Sequence, residues 1–309
     1  MSSVLVIGEA LVDVVHSADG SAREYPGGSP LNVAIGLSRL GRATQLLAHL
    51  GDDERGAAVL AHLRASGVEI VDGTVRPGAT STAQATLAAD GSASYVFDLT
   101  WELPEGSALD AALPEAPLAV HTGSIGSWFE PGAGAVSQLV QRYRATATTS
   151  FDPNVRPSLM GDPTLVRERI DALIDHCDVV KLSDEDADWL QPGGDHEALL
   201  ASWVDRGVSL AVMTRGAQGL VARARSGRAE VRAQKVTVAD TVGAGDSVMA
   251  ALIDGLAEHD LLGAARREAL RDIHNDDVQT LLAHAARVGA ITVSRPGADP
   301  PWRRELLGV

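Results

Sequence analysis

The chain has 309 residues, 45% of them hydrophobic, enough to bury the core of one large α/β domain or two ordinary ones. Lys and Arg number 26 against 41 Asp and Glu, and the formal charge of −15 repels a phosphate backbone, which argues against nucleic acids and anionic membranes as partners. A single Cys177 excludes an intramolecular disulfide, no apolar run approaches the ~18 residues of a membrane helix, and no secretory signal is visible, so a cytoplasmic protein is expected.

Residues 4–8 read as a buried first strand, and 11–16 continue as extended chain. Gly27-Gly28-Ser29-Pro30 breaks the pattern. Pro30 suits the first turn of a helix over 32–40, closed by Gly41. A strand follows at 44–50 and a helix at 54–66. From 69 to 97 helical periodicity disappears, and 80–88 and 92–97 read as strands joined at Ala89-Asp90-Gly91, a hairpin signal. Strands at 118–122, 146–151, 178–182 and 210–214 then alternate with helices at 134–144, 164–175, 184–190 and 197–206, which argues for a parallel sheet covered on both faces. Residues 218–224 and 229–236 read as an antiparallel edge pair. Helices are expected at 245–258, 262–269 and 276–289, with 271–277 as a loop between them.

The stretch carrying most chemistry is Asp240-Thr241-Val242-Gly243-Ala244-Gly245-Asp246, at the front of an apolar helix. Small residues let the backbone turn sharply, so several N–H groups converge where the helix dipole favours an anion. An aspartate in that first turn can take a proton from a hydroxyl while the amides hold charge on a transferring phosphoryl group. Taken alone, the same residues also describe a glycine-rich turn whose Asp246 caps the helix. A Walker A loop is excluded by the missing Gly-Lys-Ser/Thr, and the distance of these glycines from the first strand argues against a dinucleotide fold. The nine histidines show no metal spacing, and no Gly-x-Ser-x-Gly elbow is present.

Asp-Thr-x-Gly-Ala-Gly-Asp before an apolar helix resembles the C-terminal signature of ribokinase-like (PfkB) sugar kinases. Gly27, Gly28 and Asn32, with Gly41 closing the helix, resemble that family's other signature. The resemblance runs nearly end to end. It implies a three-layer α/β/α sandwich with a mainly parallel sheet and a small β-sheet lid. Residues 1–12, 30–70 and 103–309 would form the large domain, and 13–29 and 71–102 the lid. The implied reaction moves the γ-phosphoryl group of ATP to a sugar hydroxyl, with Asp246 as base and Gly243, Ala244 and Gly245 as anion hole. Asp13, Gly28 and Asn32 resemble sugar-hydroxyl binders; by themselves Asp13 reads as a strand-end residue and Asn32 as a helix cap.

Thr214, Gly216 and Gly219 resemble the family's nucleotide loop, and equally describe a turn between strands. Ser183 and Asp186 stand where the family has Asn-x-x-Glu. The resemblance there implies a nucleotide contact at Ser183 and a magnesium ion held by Asp186 through water, while an acidic helix start is the competing reading. Asp240, Val242, Thr292 and Gly297 occupy the loops that hold a monovalent cation such as potassium in the family, through backbone carbonyls. Asp152-Pro153-Asn154-Val155-Arg156 resembles the bacterial fructokinases of this family, pointing to fructose with Arg156 as a substrate contact; the alternative is that Asp152 and Arg156 pair with each other. Trp101 either covers the sugar or belongs to the lid core. Other acceptors (another sugar such as ribose, 2-keto-3-deoxygluconate, a nucleoside) and a non-catalytic sensor stay open, and a homodimer through the lid is implied by resemblance alone.

Overall fold

The computed structural model describes residues 3–16, 21–87, 93–104 and 106–307. Strand β1 (Val4–Ile7) is buried on both sides, with Val4 and Val6 in one core cluster and Leu5 and Ile7 in another. Alternation of this kind forces a sheet to be covered on both faces. The chain then leaves the main sheet for β2 (Leu11–His16) and β3 (Ala22–Gly27), returning as α1 (Ser29–Arg39) and β4 (Thr44–Leu47). Next come β5 (Leu50–Gly51), α2 (Glu54–Ala65), β6 (Glu69–Ile70), β7 (Val75–Arg76), β8 (Thr82–Leu87), β9 (Ala93–Asp98) and α3 (Ser107–Ala112). A regular alternation follows: β10 (Ala119–Gly123), α4 (Gly132–Tyr143), β11 (Thr148–Asp152), α5 (Pro163–Ile174), β12 (Val179–Ser183), α6 (Asp184–Leu190), α7 (His196–Arg206) and β13 (Leu210–Thr214). The hairpin β14 (Leu220–Ala224) and β15 (Gly227–Val231) precedes α8 (Ala244–Glu258), α9 (Arg267–Arg271), α10 (Asn275–Val293) and α11 (Arg303–Leu306).

The large sheet runs β15-β14-β13-β12-β11-β10-β1-β4-β6, parallel except where β14 meets β13 and β15. Helices α1, α8 and α10 bury their apolar residues in one core with Val4 and Val6, while α4, α5 and α7 share the other with Leu5 and Ile7. The result is the expected three-layer α/β/α sandwich. A separate four-stranded sheet, β3-β2-β8-β9, forms the small layer. The turn expected at residues 89–91 lies outside the described residues.

Four differences from expectation have identifiable causes. Strand β3 was not anticipated, because Ala-Arg-Glu-Tyr-Pro-Gly is mostly exposed and polar, as an edge strand should be. The strand expected over 44–50 ends at Leu47, and Leu50–Gly51 pairs instead with β7. The helix expected over 262–269 is a 3-10 turn at Ala264–Arg266 that leads into α9. Helix α10 begins at Asn275, inside the expected loop, and continues past Gly289, where a side chain would come within 3.0 Å of Val248 Cγ2 on α8. There glycine serves close helix packing rather than a helix end.

Helix α8 is buried along Asp246 to Leu256 and carries an ionic anchor at its far end. The Asp254 side chain is fully buried and accepts from Arg42 Nε (2.6 Å) and from Arg303, with His284 Nε2 at 3.0 Å. That cluster ties the turn after α1, the middle of α10 and the C-terminal helix to the one that carries Asp246. Cys177 is buried, its thiol donating to Leu173 O at 3.3 Å, as a packing residue does. No helix among the described residues is long and apolar enough to cross a membrane.

Candidate active site

From β1 the sheet order steps one way to β4 and the other way to β10, so the chain reverses direction of growth between β1 and β10. Open α/β sheets place ligands at such a switch point, beyond the carboxyl ends of the strands. A cleft of about 750 Å³ opens there. Its walls include Glu9 after β1, Ser124 after β10, Ser183 at the end of β12, Thr214 at the end of β13, and Gly243, Gly245 and Asp246 at the front of α8.

Gly243 caps α8 in the left-handed region (φ 72°), which lets Ala244, Gly245 and Asp246 form the first turn. Asp246 is 9% exposed. Its Oδ1 accepts from Ser29 Oγ at 2.7 Å and its Oδ2 from Asn32 Nδ2 at 2.8 Å, both on the first turn of α1. Two helix N-termini therefore converge on one carboxylate. Gly28 makes the approach possible: its φ is 113°, and a Cβ there would lie 2.6 Å from Glu9 O. Asn32, expected to bind sugar, lines the cleft and gives one amide hydrogen to Asp246, and Ser29 joins it as a holder that sequence reasoning missed.

Beside this carboxylate lies an ion pair that was also missed. Lys181 Nζ donates to Asp152 Oδ2 at 2.8 Å, with side-chain exposures of 4% and 1%. A Cβ on Gly245 would sit 2.8 Å from the same Nζ, so the ammonium lies against the front of α8. Burial works to lower the Lys181 pKa, but the Asp152 carboxylate, with Asp186 and Asp246 further off, reverses this and raises it. The Asp152–Arg156 pairing considered from sequence does not form; Arg156 instead donates to Val155 O at 3.0 Å.

At the other end of the cleft the charges are different. Glu9 is 5% exposed, and burial pushes its carboxyl up to about 7 although Oε2 accepts from Gly126 N at 2.8 Å. Burial likewise pushes Asp13 up to about 6, with the Arg156 charge opposing in both cases. Asn154 Nδ2 donates to Ser124 Oγ at 3.1 Å. Both residues have positive φ (38° and 51°), a conformation that non-glycine residues hold only when their surroundings enforce it. Glu9 carried one sequence signal, an acidic residue directly after a buried strand. Trp101 does not line the cleft: it is 2% exposed and donates from Nε1 to Gly126 O at 2.9 Å.

The nucleotide-side expectations divide. Thr214, Ser183, Asp186 and Val242 line the cleft, whereas Gly216, Gly219 and Ala244 do not. Gly219 (φ 99°) instead shapes the turn beneath, where a Cβ would lie 2.1 Å from Val231 O. Ser183 and Asp186 form a reciprocal capping box, and Asp186 Oδ1 also accepts from Val155 N at 2.7 Å. Each Asp186 oxygen thus has one backbone donor and keeps its second lone pair. Among the described residues no three carboxylate, His or Cys side chains gather to hold a metal unaided. Magnesium at nucleotides leans on phosphate and water with one or two carboxylates, and Asp186, which lines the cleft with one backbone donor on each oxygen, fits that need. Asp240 accepts from Val242 N (3.0 Å) and Gly297 N (2.9 Å), joining two of the expected cation loops, while the Thr292 hydroxyl turns back to Val288 O at 3.1 Å.

Comparison with known proteins matches residues 1–304 to the pfkB family carbohydrate kinase model. A fructokinase of Rhizobium leguminosarum bv. trifolii is 34% identical over 270 residues, 84% of this chain and 81% of its own. A fructokinase of Escherichia coli is 30% identical across 99% of this chain and 98% of its length. The crystal structure of a fructokinase with bound ATP from Xylella fastidiosa superposes with a TM-score of 0.82 at 26% identity, covering 99% of this chain and 97% of that one.

Proposed function

The chain belongs to the pfkB family of carbohydrate kinases and transfers a phosphoryl group to a sugar hydroxyl, and on that premise we propose that its donor is ATP and its acceptor the 6-hydroxyl of D-fructose. The observation that carries the chemistry is Asp246, held by Ser29 and Asn32 at the front of α8 and open to the cleft. Its carboxylate takes the proton of the attacking hydroxyl. The amides at Gly243 and Gly245 border the cleft and offset charge on the phosphoryl group, whereas the Ala244 amide donates to Thr241 O at 3.3 Å; Asp186 would hold a magnesium ion, which when bound would supply further positive charge to the triphosphate. Asp13, Gly28 and Arg156 border the sugar, while Ser183 and Thr214 face the nucleotide.

Support for fructose comes from the curated relatives and from the charge at the acceptor end. Arg156 there faces two carboxylates, Glu9 and Asp13, and so offers no net positive site to a sugar acid. A neutral polyol read by carboxylate and amide partners suits that composition. The same reading extends to potassium at the Asp240, Val242, Thr292 and Gly297 loops. It extends also to pairing of two copies through the lid sheet, where Tyr25 and Val96 are 48% and 64% exposed. The test is an ATP-consumption assay over fructose, other ketoses, ribose, 2-keto-3-deoxygluconate and nucleosides, with and without magnesium and potassium, and with the product identified by NMR. Fructose 6-phosphate as the fastest-formed product is expected; faster turnover of another acceptor overturns the fructose assignment.

A further inference from the structure

We propose that Lys181 is a catalytic residue of phosphoryl transfer, donating to the γ-phosphoryl oxygens beside the Gly245 amide, and that Asp152 is the positioning residue that aims it. This rests on the kinase reading of the cleft. Lys181 sits in the middle of β12, whose neighbouring residues Val179, Val180 and Leu182 are fully buried, and the Lys181–Asp152 pair is itself withdrawn from water. A buried ion pair is weak evidence for stability, because desolvation offsets most of the attraction. A pair kept at the wall of a reaction cleft calls for another reason.

Three observations supply one. Among the described residues, Lys181 and Arg156 are the two cationic side chains lining the cleft, and Arg156 stands at the acceptor end among carboxylates. Lys181 is therefore the cationic side chain available to the triphosphate end. Its Nζ lies where any side chain on residue 245 would go, so glycine there keeps the ammonium and the helix amides facing one space. Of its three hydrogens, one is engaged by Asp152; among the described residues the other two have no hydrogen-bond acceptor. An ammonium ion anchored on one side and free on the other is set to meet an anion.

In the step itself, a bond forms between the acceptor oxygen and γ-phosphorus as the bond from γ-phosphorus to the β–γ bridging oxygen breaks. ADP leaves with that electron pair, and Asp246 receives the hydroxyl proton. Lys181 gives up no proton; it offsets charge on the oxygens of the group in flight.

The test compares Lys181→Met, Asp152→Asn and the double variant with the wild type, using the acceptor that the wild type phosphorylates fastest. Failure of fructose in the screen thus counts against the acceptor and leaves this test standing. Lys181→Met is expected to lower kcat by roughly 10²–10³-fold, the effect of removing one preorganised donor, with KM for the sugar changed less than threefold. Because that variant strands the Asp152 charge, the double variant is the deciding one: with both charges gone it should melt near the wild type and remain as slow as Lys181→Met. Recovery of the double variant to within threefold of wild-type kcat would mean that the pair is only structural. A Lys181→Met enzyme that loses ATP affinity alone, with kcat kept, also overturns the proposal. Asp152→Asn alone should slow turnover less than Lys181→Met; a larger loss would remove its positioning role.

Discussion

Asn32 and Asp246, 214 positions apart in the chain, meet through a 2.8 Å hydrogen bond from Nδ2 to Oδ2. With Ser29 on the other oxygen, this bond fixes the carboxylate in one orientation before any sugar arrives. Preorganisation of this kind spares the enzyme the reorientation that a loose side chain would need at the moment of reaction.

Asp246→Asn keeps the shape of the side chain and removes its basicity. Turnover should fall by roughly 10²–10⁴-fold, while calorimetric sugar affinity stays within a few-fold of wild type. Near-normal kcat in this variant would end the mechanism.

Asn32→Ala leaves Asp246 Oδ2 in a nearly buried site without its donor. We expect a loss of about 1–3 kcal/mol in unfolding free energy, together with a drop in kcat larger than any rise in sugar KM. Urea titration and steady-state kinetics on the same preparation check both parts.

Glu9 gives a pH signature. Its carboxyl is raised from 4.5 to about 7 by burial, so the folded state favours the protonated form. Stability from this group is therefore full below about 4.5 and is lost as pH rises through about 7. Asp13, raised to about 6, acts in the same direction. Between pH 5 and 8, Glu9→Gln should flatten the decline in unfolding free energy by on the order of 2–3 kcal/mol. An unchanged slope would contradict the buried, desolvated placement of this carboxyl.

Asp254 behaves oppositely. Burial works to raise its pKa, but the hydrogen bond from His284 and the Arg42 and Arg303 charges hold it below the ordinary carboxylate value. Its contribution is present above that ordinary value and lost as pH falls through the depressed one. Asp254→Ala, which leaves these cations without their buried partner, should cost about 3–5 kcal/mol by denaturant unfolding and lower the melting temperature. Activity at low temperature should persist, since the anchor lies at the far end of α8 from Asp246.

The parts of the site legible in the sequence are those written contiguously. Seven residues from Asp240 to Asp246 announce an anion-binding helix start, and Gly28 with Pro30 announces the start of α1. Glycine and proline act locally, so their meaning survives without a fold. What stayed hidden are pairings between segments distant in the chain: Glu9 with Gly126, Asp152 with Lys181, Ser29 with Asp246, separated by 117, 29 and 217 positions. Nothing in Lys181-Leu182-Ser183 says that the lysine points into a cleft rather than to solvent. The alternation of strands and helices was readable because hydrophobic period is local too. The short and polar strand β3 was not, since an exposed edge strand carries little apolar pattern.

The hairpin of β2 and β3 is spliced between the strand that presents Glu9 and the helix that presents Ser29 and Asn32. Its two roots touch: a Cβ on Gly8 would fall 2.2 Å from Pro30 Cγ, and one on Gly28 would fall 2.6 Å from Glu9 O. Such a junction acts as a double-pinned pivot, with incoming and outgoing chain clamped against each other. Exchange of this hairpin for one of different length would leave the pivot intact, whereas a single methyl group added at either root would shift the floor on which the cleft residues Glu9, Ser29 and Asn32 are mounted. Transplanting a lid between related enzymes should therefore keep residues 8–10 and 27–30 as part of the recipient.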